Sequence, residues 1–208
     1  MPWSGAARGS PTIANPHLTT EAANKAAGTD SELAARAQAG DRAAFAVLVD
    51  RYAPAVRRIA RAVLHDADDA DDAAQDAFLS ALVKLKQYDP RRPFAPWLMR
   101  IVVNAATDRR RRRAVRRSEP LAGYIPATGT LPDADADRRA LGERLRQALA
   151  ALPERRRLAV VLFDVDGYTQ AEIGHILGIP EGTVRSEVFH ARRALRVLLA
   201  DWKERQEE

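Results

Sequence analysis

The sequence predicts an all-α protein built as two small helical domains joined by a flexible linker. Apolar residues recur at helical spacing through most of its 208 residues, and no pair of runs alternates as strands do. Hydrophobic residues make up 46% but aromatic ones only 6%, which suits helices rich in Ala, Leu and Val. One stretch, 118–137, interrupts the pattern for twenty residues, too long for a connection inside one compact domain.

Residues 1–30 are rich in Ala, Gly, Pro, Ser and Thr without an apolar period, and are expected to be a disordered tail. From Ser31 the first domain begins, spanning 31–117. Leu33 and Ala37 open a short helix that Gly40-Asp41 breaks, and Asp41 can cap the next. Phe45, Leu48, Val49, Tyr52, Val56, Ile59, Ala60, Val63 and Leu64 then line one face, with Pro54 expected to kink or divide the helix. His65–Asp72 is an acidic opening to a third helix, because Asp in a first turn complements the helix dipole. Its inner face is predicted as Ala70, Ala74, Ala77/Phe78, Leu82 and Leu85. Gln87–Pro96, QYDPRRPFAP, holds three prolines and reads as a loop. Trp97, Leu98, Ile101, Val102 and Ala105 build a fourth helix that runs through Asp108 into Arg109–Arg113.

The linker, 118–137, carries three prolines, two glycines, four acids and no base. The second domain, 138–208, opens with Leu141, Leu145, Leu149 and Leu152, stops at Pro153 and restarts as ERRRLAVVLFDV. The stretch Tyr168–Leu199 then reads as a helix-turn-helix. Thr169 and Glu172 form a capping box, and Ile173, Ile176 and Leu177 are an i, i+3, i+4 stripe. Gly178 ends that helix and Ile179-Pro180 makes the turn. In the second helix, Val184, Val188, Ala191, Leu195 and Leu198 share one face, and Arg185, Ser186, His190, Arg192, Arg193 and Arg196 the other. A cationic second helix after a tight turn is suited to a DNA major groove.

Formal net charge is +5, unevenly spread: Lys84 to Arg117 holds twelve bases against Asp89 and Asp108, a footprint suited to phosphate. There is no cysteine, so disulfides, thiolate chemistry and Cys-based zinc sites are excluded. The lone histidines, His65, His175 and His190, have no metal-ligand spacing. No apolar run approaches the ~20 residues of a membrane helix, and the N-terminus lacks a signal core. No metal, cofactor or membrane insertion is expected, and the localisation is expected to be cytoplasmic.

AQAGDRAAFAVLVDRYAPAVRRIARAVL (Ala37–Leu64), DADDAAQDAFLSAL (Asp69–Leu82), FAPWLMRIVVNAATDRRRR (Phe94–Arg112) and LPERRRLAVVLFDVDGYTQAEIGHILGIPEGTVRSEVFHARRALR (Leu152–Arg196) together resemble bacterial sigma factors of the extracytoplasmic-function group, in their order and spacing. The resemblance implies partners: core RNA polymerase, through its clamp helices and flap; promoter DNA; and an anti-sigma factor. It implies that Asp69, Asp71, Asp72, Gln75 and Asp76 bind polymerase, an acidic face suiting a basic groove. Arg91, Arg92, Phe94, Trp97, Asn104, Asp108, Arg109 and Arg110 match where the family holds the melted −10 strand, chemistry that needs stacking aromatics and phosphate-binding arginines. Trp97 fits a core position as well as a stacking platform. Thr183, Arg185, Ser186, Glu187, Phe189, His190, Arg192 and Arg193 are the candidate −35 contacts. The chain departs from the family at Glu187, where a base is usual, and at Pro180, where Ser is frequent. A Glu can accept from cytosine N4 but repels phosphate.

Two other classes compete. A conventional helix-turn-helix regulator would use 31–117 for sensing or dimerisation, but has no need of an acidic helix, a Pro/Arg/aromatic loop and a basic helix in sequence. Asp68-Asp69-Ala70-Asp71-Asp72 also satisfies the DDxxD pattern of Mg²⁺-diphosphate enzymes, which requires a second acidic cluster; only Asp164-x-Asp166 is available. An EF-hand loop fails, since Asp71 stands where Gly is needed and Ala77 where Glu is.

Overall fold

A computed structural model describes residues 28–64, 66–116 and 134–204; the tail, His65 and most of the linker lie outside the described residues. Thr29 caps α1 (Asp30–Gln38) through a capping box with Glu32. Asp41 caps α2 (Arg42–Leu64), its Oδ1 accepting from the Ala43 and Ala44 amides at 3.0 and 3.1 Å. Asp66 does the same for α3 (Ala67–Lys84), accepting from Asp68 and Asp69. A 3-10 turn, Leu85–Gln87, leads through a loop into α4 (Phe94–Arg116). The second lobe comprises α5 (Ala134–Ala150), α6 (Glu154–Val160) with a π-helical extension Val161–Val165, α7 (Gln170–Leu177) and α8 (Glu181–Glu204). The described residues contain no strand.

Helices α2, α3 and α4 pack on one another, with α1 laid on α2. The inner face of α3 is Ala70, Ala73, Ala74, Ala77 and Ala81, small side chains that let neighbouring backbones approach closely. Leu82, expected inside, is 47% exposed, because the buried stripe passes through Ala81 and Leu85. Pro54 does not divide α2: it lies on the exposed side with Asp50, whose carbonyl it cannot satisfy and water can. Phe94–Pro96 belongs to helix, not loop; proline is tolerated in the first turn, where its N–H would have no partner. Helix α5 begins at Ala134, inside the expected linker, and its Leu141 and Leu145 are largely exposed where an inner face was predicted.

The two lobes meet along a polar seam inside a continuous apolar core. Arg157 of α6 is 4% exposed, and its guanidinium donates to the carbonyls of Leu149 (3.3 Å), Ala150 (3.1 Å) and Leu152 (3.0 Å), where α5 ends, and to Ala62 near the end of α2. It thereby supplies donors to carbonyls that helix ends leave without intrahelical partners. Burial, and secondarily the charge of Arg110, lowers its pKa, yet an Arg stays charged. Nearby, Asp166 is fully buried and accepts from Arg58 of α2, with Nε at 3.0 Å. Arg110 of α4 pairs with Glu154 at the start of α6.

Replacing Arg157 by Ala would leave several buried acceptors without donors, and a loss of about 3 kcal/mol is expected. Urea unfolding monitored by circular dichroism checks this; Arg157→Lys should recover less than half, because an ammonium cannot span acceptors so widely set.

Candidate nucleic-acid interface

Two clusters bring together the residues singled out by sequence. In the first lobe, the Tyr88–Pro93 loop is anchored by an aromatic cluster. Phe94 lies 5.6 Å from Tyr52 and 5.4 Å from both Tyr88 and Trp97, centroid to centroid, and Tyr88 and Trp97 are 4.9 Å apart. Gln38 ties the loop down, donating to the Leu85 and Tyr88 carbonyls at 2.7 Å each, and the Tyr88 hydroxyl donates to the Arg92 carbonyl. Burial, reinforced by Asp30 and Asp89, pushes the Tyr88 hydroxyl up to about 12, so it remains a donor at neutral pH. Phe94 is buried, which corrects the expectation that it offers a stacking face: it is the centre of the cluster. Trp97 is half-buried and keeps an accessible side.

That side faces a cavity of about 560 Å³ lined by Tyr88, Arg92, Pro93, Pro96 and Trp97 from the first lobe and by Ala171, Glu172 and His175 from α7. Asn104 and Asp108 are exposed along α4, and Asp108 lies 3.8 Å from Arg111. Arg91 is extended into solvent with Asp89 at 3.0 Å, and Arg92 is exposed.

The acidic face of α3 is not a free patch. Asp69, Asp72 and Asp76 converge on Arg109 of α4, with Asp69 at 3.2 Å and Asp76 at 3.5 Å; Arg113 adds Asp69 and Asp66. Asp71 lies 3.8 and 3.7 Å from Arg57 and Arg61 of α2. Gln75 is exposed. The carboxylates remain accessible, Asp72 being 61% and Asp76 59% exposed, so a partner meets them already half-neutralised. Asp164 and Asp166 likewise hold arginines, and no group of three or more His, Cys, Asp or Glu among the described residues could hold a metal ion.

In the second lobe the helix-turn-helix forms as its sequence dictates. Thr169 and Glu172 make both halves of the capping box, Thr169 N–H donating at 2.8 Å and Glu172 N–H at 3.2 Å. Gly178 turns the chain at φ 67°, which a glycine adopts without strain. Gly174 has a different role: a Cβ there would lie 2.8 Å from the Ile179 carbonyl oxygen, so the turn closes against a bare backbone. Val184, Val188 and Ala191 bury the inner face of α8. At 100° per residue the opposite ridge is Gly182, Ser186, Phe189, His190 and Arg193, all exposed, with Phe189 at 61%.

The flanks of α8 are tied to its neighbours. Arg192 pairs with both oxygens of Asp164, Nε at 2.9 Å, and stacks over Phe163 at 5.2 Å; that hydrogen bonding raises its pKa. Arg185 reaches Gln170 at 3.2 Å and Glu181 at 3.8 Å. Thr183 is half-buried. Glu187 is turned away from the outward ridge: its side chain is 19% exposed and accepts from Arg156 Nε at 3.2 Å. Sequence reasoning missed Arg58, Arg156, Arg157 and the pairing roles of Asp164 and Asp166; charged residues inside apolar runs were the available signal.

Residues 48–116 match Sigma-70 region 2, and residues 142–195 match Sigma-70 region 4. The chain is 40% identical over 174 residues to the ECF RNA polymerase sigma factor SigM of Mycobacterium tuberculosis H37Rv, covering 82% of this chain and 85% of the relative. It is 36% identical to the ECF RNA polymerase sigma factor SigW of Bacillus subtilis 168, covering 78% and 92%. Among solved structures, CnrH in complex with the cytosolic domain of CnrY superposes with a TM-score of 0.64 at 32% identity, covering 83% of this chain and 97% of that one.

Replacing Gly174 by Ala is expected to cost about 1–3 kcal/mol by forcing backbone apart at the turn. Thermal unfolding and amide hydrogen exchange check it, with the loss of protection concentrated at 174–184.

Proposed function

This chain belongs to the extracytoplasmic-function group of sigma factors, and on that premise we propose that its lobes divide one task, region 2 engaging core RNA polymerase and the melted −10 strand and region 4 reading the −35 duplex. As a sigma factor it directs core RNA polymerase to promoters. Sigma factors are non-enzymatic initiation factors, and this reading assigns no catalytic residue. The observation that carries it is the order of surfaces. An acidic helix, an aromatic-anchored loop and an arginine-tipped helix share one lobe, and a helix-turn-helix with an exposed outward ridge forms the other.

Polymerase binding falls to Asp69, Asp71, Asp72, Gln75 and Asp76. A basic groove would compete with Arg109 and Arg113 for the same carboxylates, so docking would release those arginines toward DNA phosphate. Trp97 is the aromatic surface offered to a flipped base, and Arg91, Arg92, Asn104, Asp108 and Arg110 surround its strand. The lobes must part for this, since α7 walls the cavity beside Trp97. On α8, Ser186, Phe189 and His190 enter the groove, and Arg193, the next position along the same exposed ridge, meets its phosphate backbone. Phe189 supplies an apolar contact for a thymine methyl, and Arg185 and Arg192 flank it toward phosphate. An anti-sigma factor is a further expected partner; CnrH, which this chain resembles, is solved in complex with the cytosolic domain of CnrY. No helix among the described residues is long and apolar enough to cross a membrane.

Purified protein mixed with core RNA polymerase should co-elute and give discrete transcription starts on fragmented genomic DNA. Both should be lost when Asp72 and Asp76 are changed to Arg. Those carboxylates are exposed, so the pairs broken inside the chain should change stability by no more than about 1 kcal/mol. Duplex binding without polymerase association would sink the reading.

On the same template, Arg193→Ala should weaken all starts alike, whereas Phe189→Ser should change which promoters are chosen, a difference of about 1–3 kcal/mol between sites. Ranking the starts by sequencing the transcripts distinguishes the two.

A further inference from the structure

The Arg156–Glu187 pair has no place in the surfaces assigned so far. Glu187 lies on the recognition helix, where an unpaired carboxylate would repel the backbone of any duplex in contact. It is held by Arg156, from the first turn of α6, through Nε alone; among the described residues that bond leaves both terminal guanidinium nitrogens for a second anion. Within the pair the arginine side chain is the more exposed partner, at 39% against 19% for Glu187. The pair therefore presents a cation outward. On the helical wheel Glu187 flanks α8 on the side opposite Arg185 and Arg192. A helix in a major groove has a phosphate strand along each flank.

We infer that Arg156, oriented by Glu187, binds a phosphodiester of the −35 duplex on the flank of α8 opposite Arg185 and Arg192. The inference rests on the region 4 reading of α8. The recognition helix thus carries a carboxylate without repelling DNA, because the carboxylate aims a guanidinium supplied by α6. Arg156 acts in affinity and register and carries no base preference. Glu187 is a positioning residue and reads no base.

The test uses the full-length protein and a fluorescent random-sequence 30-base-pair duplex, with affinity measured by anisotropy from about 50 to 200 mM salt, the range over which phosphate contacts separate clearly. Arg156→Ala should weaken binding about five- to tenfold at the low-salt end and lower the log–log salt slope by about one. Arg156→Lys should keep the slope. Arg146→Ala, which removes an exposed charge elsewhere in the lobe, should change neither. Melting temperatures identify a variant that fails to fold; Arg156→Gln, which keeps a polar side chain without its charge, then decides: a slope lowered by about one supports the contact, an unchanged slope overturns it. An unchanged slope in Arg156→Ala beside a lowered slope in Arg193→Ala overturns the inference and leaves region 4 as the reader. If neither slope falls, α8 does not contact DNA and both readings fail together.

Discussion

The fold depends on one buried cation. Arg157 sits where α5 ends, where α2 ends and where α6 begins, and each of the first two leaves carbonyls that no helix can satisfy. Burying them bare would cost about 1–3 kcal/mol each. A planar guanidinium with five donors is the one side chain able to reach several at once. The juncture of two lobes, two helix termini and a continuous core is therefore solved by a charge that has no carboxylate partner among the described residues. Beside it, Arg58 and Asp166 solve the complementary problem, an anion buried completely and matched by a cation from the other lobe.

Electrostatics elsewhere is mostly internal. Counted along the sequence, α3 is an acidic face and the end of α4 a basic one, as if two partners of opposite sign were awaited. Folded, the two helices lie together and Arg109 and Arg113 face Asp66, Asp69, Asp72 and Asp76. Each exposed pair contributes at most about 1 kcal/mol. Their value lies in exchangeability, since a pair that weak can be traded for a partner's charge without unfolding either helix.

The sequence made the helices legible, and the helix-turn-helix most of all, because its capping box, terminal glycine and stripe are local features that tertiary packing did not override. The first lobe's core was legible wherever large residues repeated. It was misread at Leu82, where Ala81 holds the inner position, since alanines carry little hydrophobic contrast and a larger neighbour attracts the assignment. Phe94 was misread for a related reason: an aromatic in a basic loop invites a stacking role, and only three-dimensional packing reveals the rings that enclose it. Leu141 and Leu145 have helical spacing yet stand largely exposed, so periodicity fixed the element and not its burial. Arg157 and Arg58 showed in the sequence only as charges inside apolar runs, and their roles went unread because their partners are a set of carbonyls and a residue more than a hundred positions away.

The alanine face of α3 has a mechanical consequence. Five methyl groups contribute no rotamers to lose and none to rearrange. A core layer of this kind has no side chain that can swing aside to absorb a displacement, and close-packed interiors transmit strain instead of dissipating it. The first lobe is in this respect stiff. A displacement of the α3 surface is therefore expected to be passed on to α2 and α4, the helices packed against it. The stiff part of the molecule is thus the lobe whose surface a partner would grip.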